Sequence, residues 1–375
     1  MAKKKSSGRK KEVDFILLMS TMVLVFIGIV MVFSSSWPEA MQKYNDGYRF
    51  FKKQLISAGI GLVGLLLCMN IDYRIWKKYS LWIFLFSLFL GLMVFSPLGY
   101  EAKGARRWID LGVISFMPSD TIKIGAIIYL SAFLSNKRKV ISSFKQGTIP
   151  AFMIIGLACG VIFIQNDLST AVTLATTLMI MFFVGGMNLI NIPVIIISAV
   201  TLLFAATRGE KGAFRLRRIA VFRNPFEDKL GYGWQAVQSL YALGSGGLFG
   251  LGLGKSKQKF FYIPESYNDF ILSIIGEELG FVGTFLISFI FIILIWRGIK
   301  VALSVEDNFG SYLATGITSL IAVQTLIHIA VVTSSMPTTG ITLPFVSYGG
   351  TSLMIYMSAV GILLNISRHA KLDRS

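Results

Sequence analysis

Apolar positions run along this chain in long blocks separated by short polar stretches, and the length of those blocks decides the fold class. Ten blocks stand out, at roughly 14–35, 53–70, 79–97, 118–135, 148–165, 168–186, 189–206, 269–296, 309–334 and 346–366. Each approaches the ~20 residues with which an α-helix crosses the hydrocarbon layer of a bilayer. The first block follows Lys3-Lys4-Lys5 and Arg9-Lys10-Lys11, as a signal peptide would, but its apolar run is too long for one and reads as a retained span. The pattern predicts an all-α, polytopic membrane protein of ten transmembrane helices, with one long extracytoplasmic loop, 207–268, between spans 7 and 8. Residues 14–366 form a single membrane domain, flanked by a basic tail, 1–13, and a short one, 367–375.

Composition agrees. The 375 residues are 54% hydrophobic and 15% charged, against about 25% charged in a soluble domain. Counting Lys and Arg orients the chain. With the N-terminus inside, inner segments hold eighteen and the short outer loops hold seven, while the ten in 207–268 weigh little because long loops do not set topology. Both tails are therefore expected in the cytoplasm and 207–268 outside. The net charge of +17 follows from that bias and from the basic loop. No soluble basic domain exists to carry it, which argues against nucleic acid as a partner. Cys68 and Cys159 fall inside apolar runs and offer neither a disulfide framework nor a metal-ligand pair. His328 is mid-span and His369 lies in the tail, so a histidine-based metal site is not indicated.

Polar residues at membrane depth are expensive and ask for a reason. Asp269 stands where the long loop re-enters an apolar helix, beside Asn268. It reads either as an N-cap or as a functional carboxylate. Glu277 and Glu278 lie two turns further along, and a span with three carboxylates is expected to line a polar cavity. Lys123 sits more than a turn inside the fourth span, after Pro118-Ser119-Asp120. It either snorkels or partners Asp269 at the outer end of the bundle. Asp167 is accounted for as a cap of the sixth span.

The long loop carries Arg215, Arg217, Arg218, Arg223, Lys255, Lys257 and Lys259 with interleaved aromatics. Its stretch 234–243 has the amphipathic spacing of a helix lying at the interface. The glycine-rich run 244–254 that follows is no phosphate loop, because Phe249 occupies the first required glycine. Glycines permit close backbone approach, and the flanking cations suit an anionic headgroup. Arg106-Arg107-Trp108 lies in an earlier outer loop, as lipid anchors or as part of a site. Pro344, Gly349 and Gly350 imply irregular backbone before the last span, tolerated only against protein or a wet cavity.

Several blocks occur in order: Phe222-Arg223-Asn224-Pro225, Gly247-Leu248-Phe249-Gly250-Leu251-Gly252, Lys259-Phe260-Phe261-Tyr262-Ile263-Pro264-Glu265, Asp269-Phe270-Ile271, Glu277-Glu278-Leu279-Gly280 and Thr342-Leu343-Pro344-Phe345-Val346-Ser347-Tyr348-Gly349-Gly350. Together they resemble the signature blocks of the SEDS family, most closely its FtsW/SpoVE branch with RodA a near relative, across almost the whole chain. The resemblance implies a ten-span peptidoglycan glycosyltransferase that polymerises lipid II, in cell division or sporulation. It places the essential carboxylate on Asp269 and the functional tryptophan motif on Trp108. It also leaves Lys123, Arg107, Arg215, Arg217, Arg218, Lys255, Lys257, Glu277 and Ser347 as candidates for substrate contact. Two positions depart from the family pattern: Asp120, where Glu is usual, and Asn166, where Pro is common. No cofactor is evident, although a divalent cation is compatible with the site. The implied partner is a class B penicillin-binding protein acting as transpeptidase, with membrane lipids around the bundle. A lipid II flippase and a non-catalytic divisome scaffold are the alternatives; the gathering of polar groups at the outer end, away from the midplane, favours the enzyme.

Overall fold

The computed structural model describes residues 12–102, 105–110, 115–191 and 209–371, together with 193, 197, 201 and 207. The helices are α1 (Phe15–Tyr44), α2 (Arg49–Asn70), α3 (Arg74–Lys78), α4 (Ser80–Met93), α5 (Pro118–Lys137), α6 (Ile149–Ile164), α7 (Leu168–Val184), α8 (Gly209–Phe222), α9 (Trp234–Gly246), α10 (Ile271–Ser304), α11 (Asn308–Val332) and α12 (Gly350–Ser367). Among the described residues, six apolar helical segments are long enough to cross a membrane: α1, α2, Phe144–Ile164, α10, α11 and α12. α4 and α7 are apolar but shorter. α5 has spanning length and carries Asp120 and Lys123 in its first two turns. The expected seventh span, 189–206, lies mostly outside the described residues. The molecule is thus a mostly helical, polytopic membrane protein.

The all-α expectation needs one correction. Between α4 and α5 the chain folds into a three-stranded antiparallel sheet, β1 (Gly99–Ala102), β2 (Ala105–Asp110) and β3 (Ser115–Phe116), in the order β1-β2-β3. Tyr100 lies opposite Trp108 across the first pair, and Ile109 opposite Phe116 across the second. The strands are too short to register against the apolar blocks on either side of them.

One end of the bundle is tied by charge. Asp14 caps α1 through Leu17 N at 3.0 Å, and its other oxygen receives Arg297 Nε and Nη2, at 2.9 and 2.6 Å. Asp14 N donates to Ser367 Oγ at 3.0 Å, so the start of α1, the last third of α10 and the end of α12 meet there. The opposite end holds the sheet, the 265–269 segment and the irregular stretch before α12. Tyr348 N donates to Tyr267 O at 2.9 Å and Ser347 Oγ to Asn268 O at 2.7 Å, which stitches these two segments together.

α10 is opened at Gly280, whose backbone (φ 71°, ψ −167°) is not helical. In an unbroken helix Phe281 N and Val282 N would donate to Glu277 O and Glu278 O. They donate instead to Gly247 O at 2.9 Å and Leu248 O at 3.1 Å, while the two orphaned carbonyls receive Leu251 N at 2.9 Å and Gly252 N at 3.0 Å. The glycine-rich run therefore inserts into the break and satisfies all four groups, as membrane depth requires. A Cβ on Gly280 would stand 2.3 Å from Gly250 N, and one on Gly250 2.1 Å from Glu278 O. The close approach read from these glycines is to the chain's own backbone and not to a ligand. Gly280→Ala is expected to cost on the order of 1–3 kcal/mol and lower the thermal midpoint of the purified protein. Gly244→Ala, where nothing lies within 4 Å, serves as the neutral control, and equal midpoints for the two variants would contradict the packing described.

Candidate active site

A cavity of about 570 Å³ opens at the end of the bundle that carries the sheet. Its wall comes from the end of α1, the start of α2, β2, the first turns of α5 and α7, the 265–269 segment and the start of α12. Irregular backbone builds two of these walls, the 265–269 segment and the stretch before α12, and polar side chains of the helices face the same space.

Asp269 lines this cavity. It ends a series of turns, with Asn268 N and Asp269 N donating to Glu265 O at 3.0 and 3.2 Å, and α10 begins two residues later. Gly340 lies against its carboxylate: a Cβ there would be 3.4 Å from Asp269 Oδ2, and the local φ of 77° suits glycine. Arg218 on α8 approaches from outside, its Nη1 donating to Thr338 O at 3.1 Å. Burial pulls the Arg218 guanidinium below the ordinary arginine range, and the neighbouring Asp269 carboxylate offsets part of that. Tyr267 donates to Glu39 Oε1 at 3.2 Å. Burial pushes its hydroxyl well above the usual phenol range, with Glu265 and Glu39 adding to the shift, so it stays a donor at any physiological pH.

Lys123 also lines the cavity, but its ion pair is with Asp120, one turn earlier on the same helix, at 2.6 Å. Tyr356 Oη and Gln324 Oε1 complete its shell at 3.2 and 3.4 Å. The expected pairing with Asp269 therefore gives way to a local one, because an acid three residues away on a helix is within direct reach. Arg107 donates to Asn166 O at 2.5 Å and lies 3.7 Å from Asp167 Oδ1. Asp167 caps α7 through Thr170 N at 3.2 Å, so one carboxylate serves both a helix end and a cavity cation. Trp108 stands half-buried in the wall on β2.

The remaining candidates are placed elsewhere. Glu277 is buried away from the cavity and accepts Lys257 N at 2.9 Å, Gln258 N at 3.2 Å and the Ser256 hydroxyl. Glu278 takes Lys259 Nζ at 2.8 Å and the Ser34 hydroxyl. This pair of acids fastens the loop after the glycine-rich run, and the expectation that they line a cavity with Asp269 is corrected accordingly. Lys255 and Lys257 are exposed outside the cavity, and Arg217 turns to the Tyr232 ring at 5.7 Å. The side chain of Arg215, on α8, lies outside the described residues. Ser347 is buried beneath the wall, joining Asn268 O to Leu343 N, and so positions the segment that ends in Asp269. Among the described residues no group of three or more His, Cys, Asp or Glu is arranged to hold a metal.

Glu39, Lys43, Lys53, Tyr267 and Gln324 line the cavity without having been singled out from the sequence. Glu39 and Lys43 follow the apolar part of α1, where a charge looks like ordinary loop polarity. Only the continuation of α1 as helix to Tyr44 carries them to the site.

A multi-pass membrane protein with a charged cavity at one end of its bundle is what this fold and site define. The chain belongs to the cell cycle protein family of FtsW, RodA and SpoVE, whose profile matches residues 15–372. It is 43% identical over 364 residues to stage V sporulation protein E of Bacillus subtilis, covering 97% of this chain and 99% of that protein. A probable peptidoglycan glycosyltransferase FtsW of Trichlorobacter lovleyi is also 43% identical, covering 97% of this chain and 95% of the relative. The fold matches a chain in a solved structure described as structural coordination of polymerization and crosslinking by a peptidoglycan synthase complex. That match has a TM-score of 0.77 at 22% identity, covering 96% of this chain and 99% of the other.

Breaking the buried Asp120–Lys123 pair leaves an ammonium without its counter-charge. Asp120→Asn is expected to destabilise the protein by about 3–5 kcal/mol, read as a lowered thermal midpoint. Asp120→Glu, which restores the charge, should recover most of it. An unchanged midpoint for Asp120→Asn would refute the pairing.

Proposed function

We propose that this chain is a peptidoglycan glycosyltransferase that polymerises lipid II into β-1,4-linked glycan strands and releases undecaprenyl diphosphate. In this reading ten spans cross the bacterial cytoplasmic membrane, both tails are cytoplasmic, and the cavity opens on the outer face. The family membership and relatives named for that activity support it. The observation that carries it is the Asp269 carboxylate lining a charged cavity, with Gly340 against it and Arg218 nearby.

The chemistry follows from that placement. The acceptor's 4-hydroxyl is a weak nucleophile until a base removes its proton, and Asp269 is the base. The resulting oxygen attacks the donor's anomeric carbon as the bond to the diphosphate breaks, with inversion to the β linkage. One further negative charge builds on the already anionic diphosphate as the anomeric C–O bond breaks, and fixed cations in a partly water-excluded cavity stabilise it. Arg107 and Lys123 line the cavity and serve this purpose, whereas Arg217, Lys255 and Lys257 stand outside it. Arg218 lies near enough to hold Asp269 ionised between turnovers.

The partner we propose is a class B penicillin-binding protein that crosslinks the new strand. The solved structure with the same fold belongs to a peptidoglycan synthase complex in which polymerization and crosslinking are coordinated. A flippase is the weaker reading, because the charged lining gathers at one end of the bundle and alternating access calls for a midplane site.

Asp269→Asn keeps the shape of the side chain and removes its basicity. Given lipid II, the purified variant is expected to form glycan strands about 10²–10⁴-fold more slowly than the natural chain, measured by gel separation of the products. Strands formed at the natural rate would end this assignment.

A further inference from the structure

Residues 337–343 run without helix or strand between α11 and α12. Such backbone has no ladder of its own, so its carbonyls must be met by other groups. Side chains from three helices meet them. Thr338 O accepts Arg218 Nη1 at 3.1 Å, from α8, and Thr339 O accepts Ser169 Oγ at 2.8 Å, from α7. Ile341 O accepts His328 Nδ1 at 2.8 Å and Thr342 O accepts Gln324 Nε2 at 2.9 Å, both from α11. The residue in the middle, Gly340, has the left-handed φ of 77° and lies against Asp269 Oδ2. The backbone on either side of that contact is thus held in place by four side chains.

Among these four, His328 stands apart. Arg218 lies near Asp269 itself, and Gln324 lines the cavity and accepts from Lys123 and Tyr356. Ser169 is half-buried on the first turn of α7. His328 is fully buried, about one turn before the end of α11, and does not line the cavity. A carbonyl oxygen only accepts, so Nδ1 of His328 carries the hydrogen. Its Nε2 meets no partner among the described residues, so the ring makes its polar contact at Ile341 alone. An imidazole enclosed between Ile327 and Ile329 on an apolar helix is costly and asks for a reason. Nothing in the cavity supplies that reason, and the strap does.

We propose that His328 is a positioning residue for the Asp269 base, a role that rests on the glycosyltransferase reading above. By donating to Ile341 O it fixes the neighbour of Gly340, and with it the wall against which the carboxylate rests. Without that donor Ile341 O is left unpaired at depth, and the strap shifts to find another. The carboxylate then gains room to turn away from the acceptor's hydroxyl. A displacement of about 1 Å at a reacting group costs on the order of a hundredfold in rate. Because His328 stands behind the lining, its loss falls on the chemical step and leaves substrate binding in place.

The test measures kcat and KM for lipid II polymerisation by the purified full chain, with the thermal midpoint of each variant recorded beside them. His328→Leu, which has no donor, is expected to lower kcat about ten- to a hundredfold with KM near the natural value. His328→Asn, whose amide donates from about the place of Nδ1, should recover most of that loss. Leu326→Ala, on the exposed face of the same turn, should change nothing. In an Asp269→Asn background, with no base left to position, His328→Leu should lower kcat by no more than about twofold. Natural kcat in folded His328→Leu would overturn the assignment, and so would a loss confined to KM. Equal fold-losses with and without Asp269, or His328→Asn no better than His328→Leu, would mark a general structural role and overturn it too. Should His328→Leu fail to fold, His328→Met is read by the same criteria, and unfolding of both also overturns it. A natural chain that makes no strands, or Asp269→Asn at the natural rate, removes the reading on which this role rests. Natural strands, a slow Asp269→Asn and an unaffected His328→Leu together remove only the role of His328.

Discussion

A charge enclosed among apolar helices must be met by an opposite charge or by well-aimed hydrogen bonds, and this requirement organises the molecule from one end to the other. Asp14 and Arg297 meet it at one end, at 2.6 Å, and in doing so join three helices that are far apart in sequence. Lys259 and Glu278 meet it beside the glycine-rich loop, and Lys123 and Asp120 meet it within a single turn of α5. Such pairs are weak devices for stability, since desolvation consumes most of the attraction. Their effect is on placement, because each fixes where a segment can lie, and several of those segments form the cavity wall.

The same requirement applies to the backbone. α10 gives up two of its own hydrogen bonds at Gly280, and the glycine-rich run restores every one from outside the helix. The break turns the start of α10 and anchors the loop that carries the 259–269 turns toward the cavity. Before α12 a second irregular stretch is held by side chains instead: Gln324 donates to Thr342 O at 2.9 Å, His328 Nδ1 contacts Ile341 O at 2.8 Å, and Ser347 bridges to Asn268 O at 2.7 Å. The first of these segments ends in Asp269, and the second lies against its carboxylate at Gly340. The carboxylate is thus held by many small constraints, as the base proposed above requires.

Much of this was legible in the linear chain, and the misses have a common cause. Block length predicts the spans because the bilayer sets a single length scale, and α1, α2, α11 and α12 fall where the blocks place them. The sheet at 99–116 was missed because its strands are two to six residues long and mostly polar or mixed. Asp269 and Lys123 stand out as charged residues at membrane depth and Arg107 and Trp108 as members of an outer-loop motif, and all four line one cavity. Their partners were harder to read. A glycine signals close approach but not to what, so the 244–254 run looked like a ligand platform. Lys52 and Lys53 are adjacent and chemically identical, and only the rotation of α2 sends one to solvent and the other into the cavity. Contacts between elements decide such cases, and one-dimensional spacing does not contain them.

The account depends on a carboxylate that faces the outer side of the membrane, where a lipid-linked headgroup is displayed. Side-selective labelling measures this directly, using Asp269→Cys in a chain whose Cys68 and Cys159 are replaced by alanine. A membrane-impermeant maleimide applied to intact protoplasts should modify residue 269. Modification only after the membrane is permeabilised would place the carboxylate on the cytoplasmic side and contradict the account.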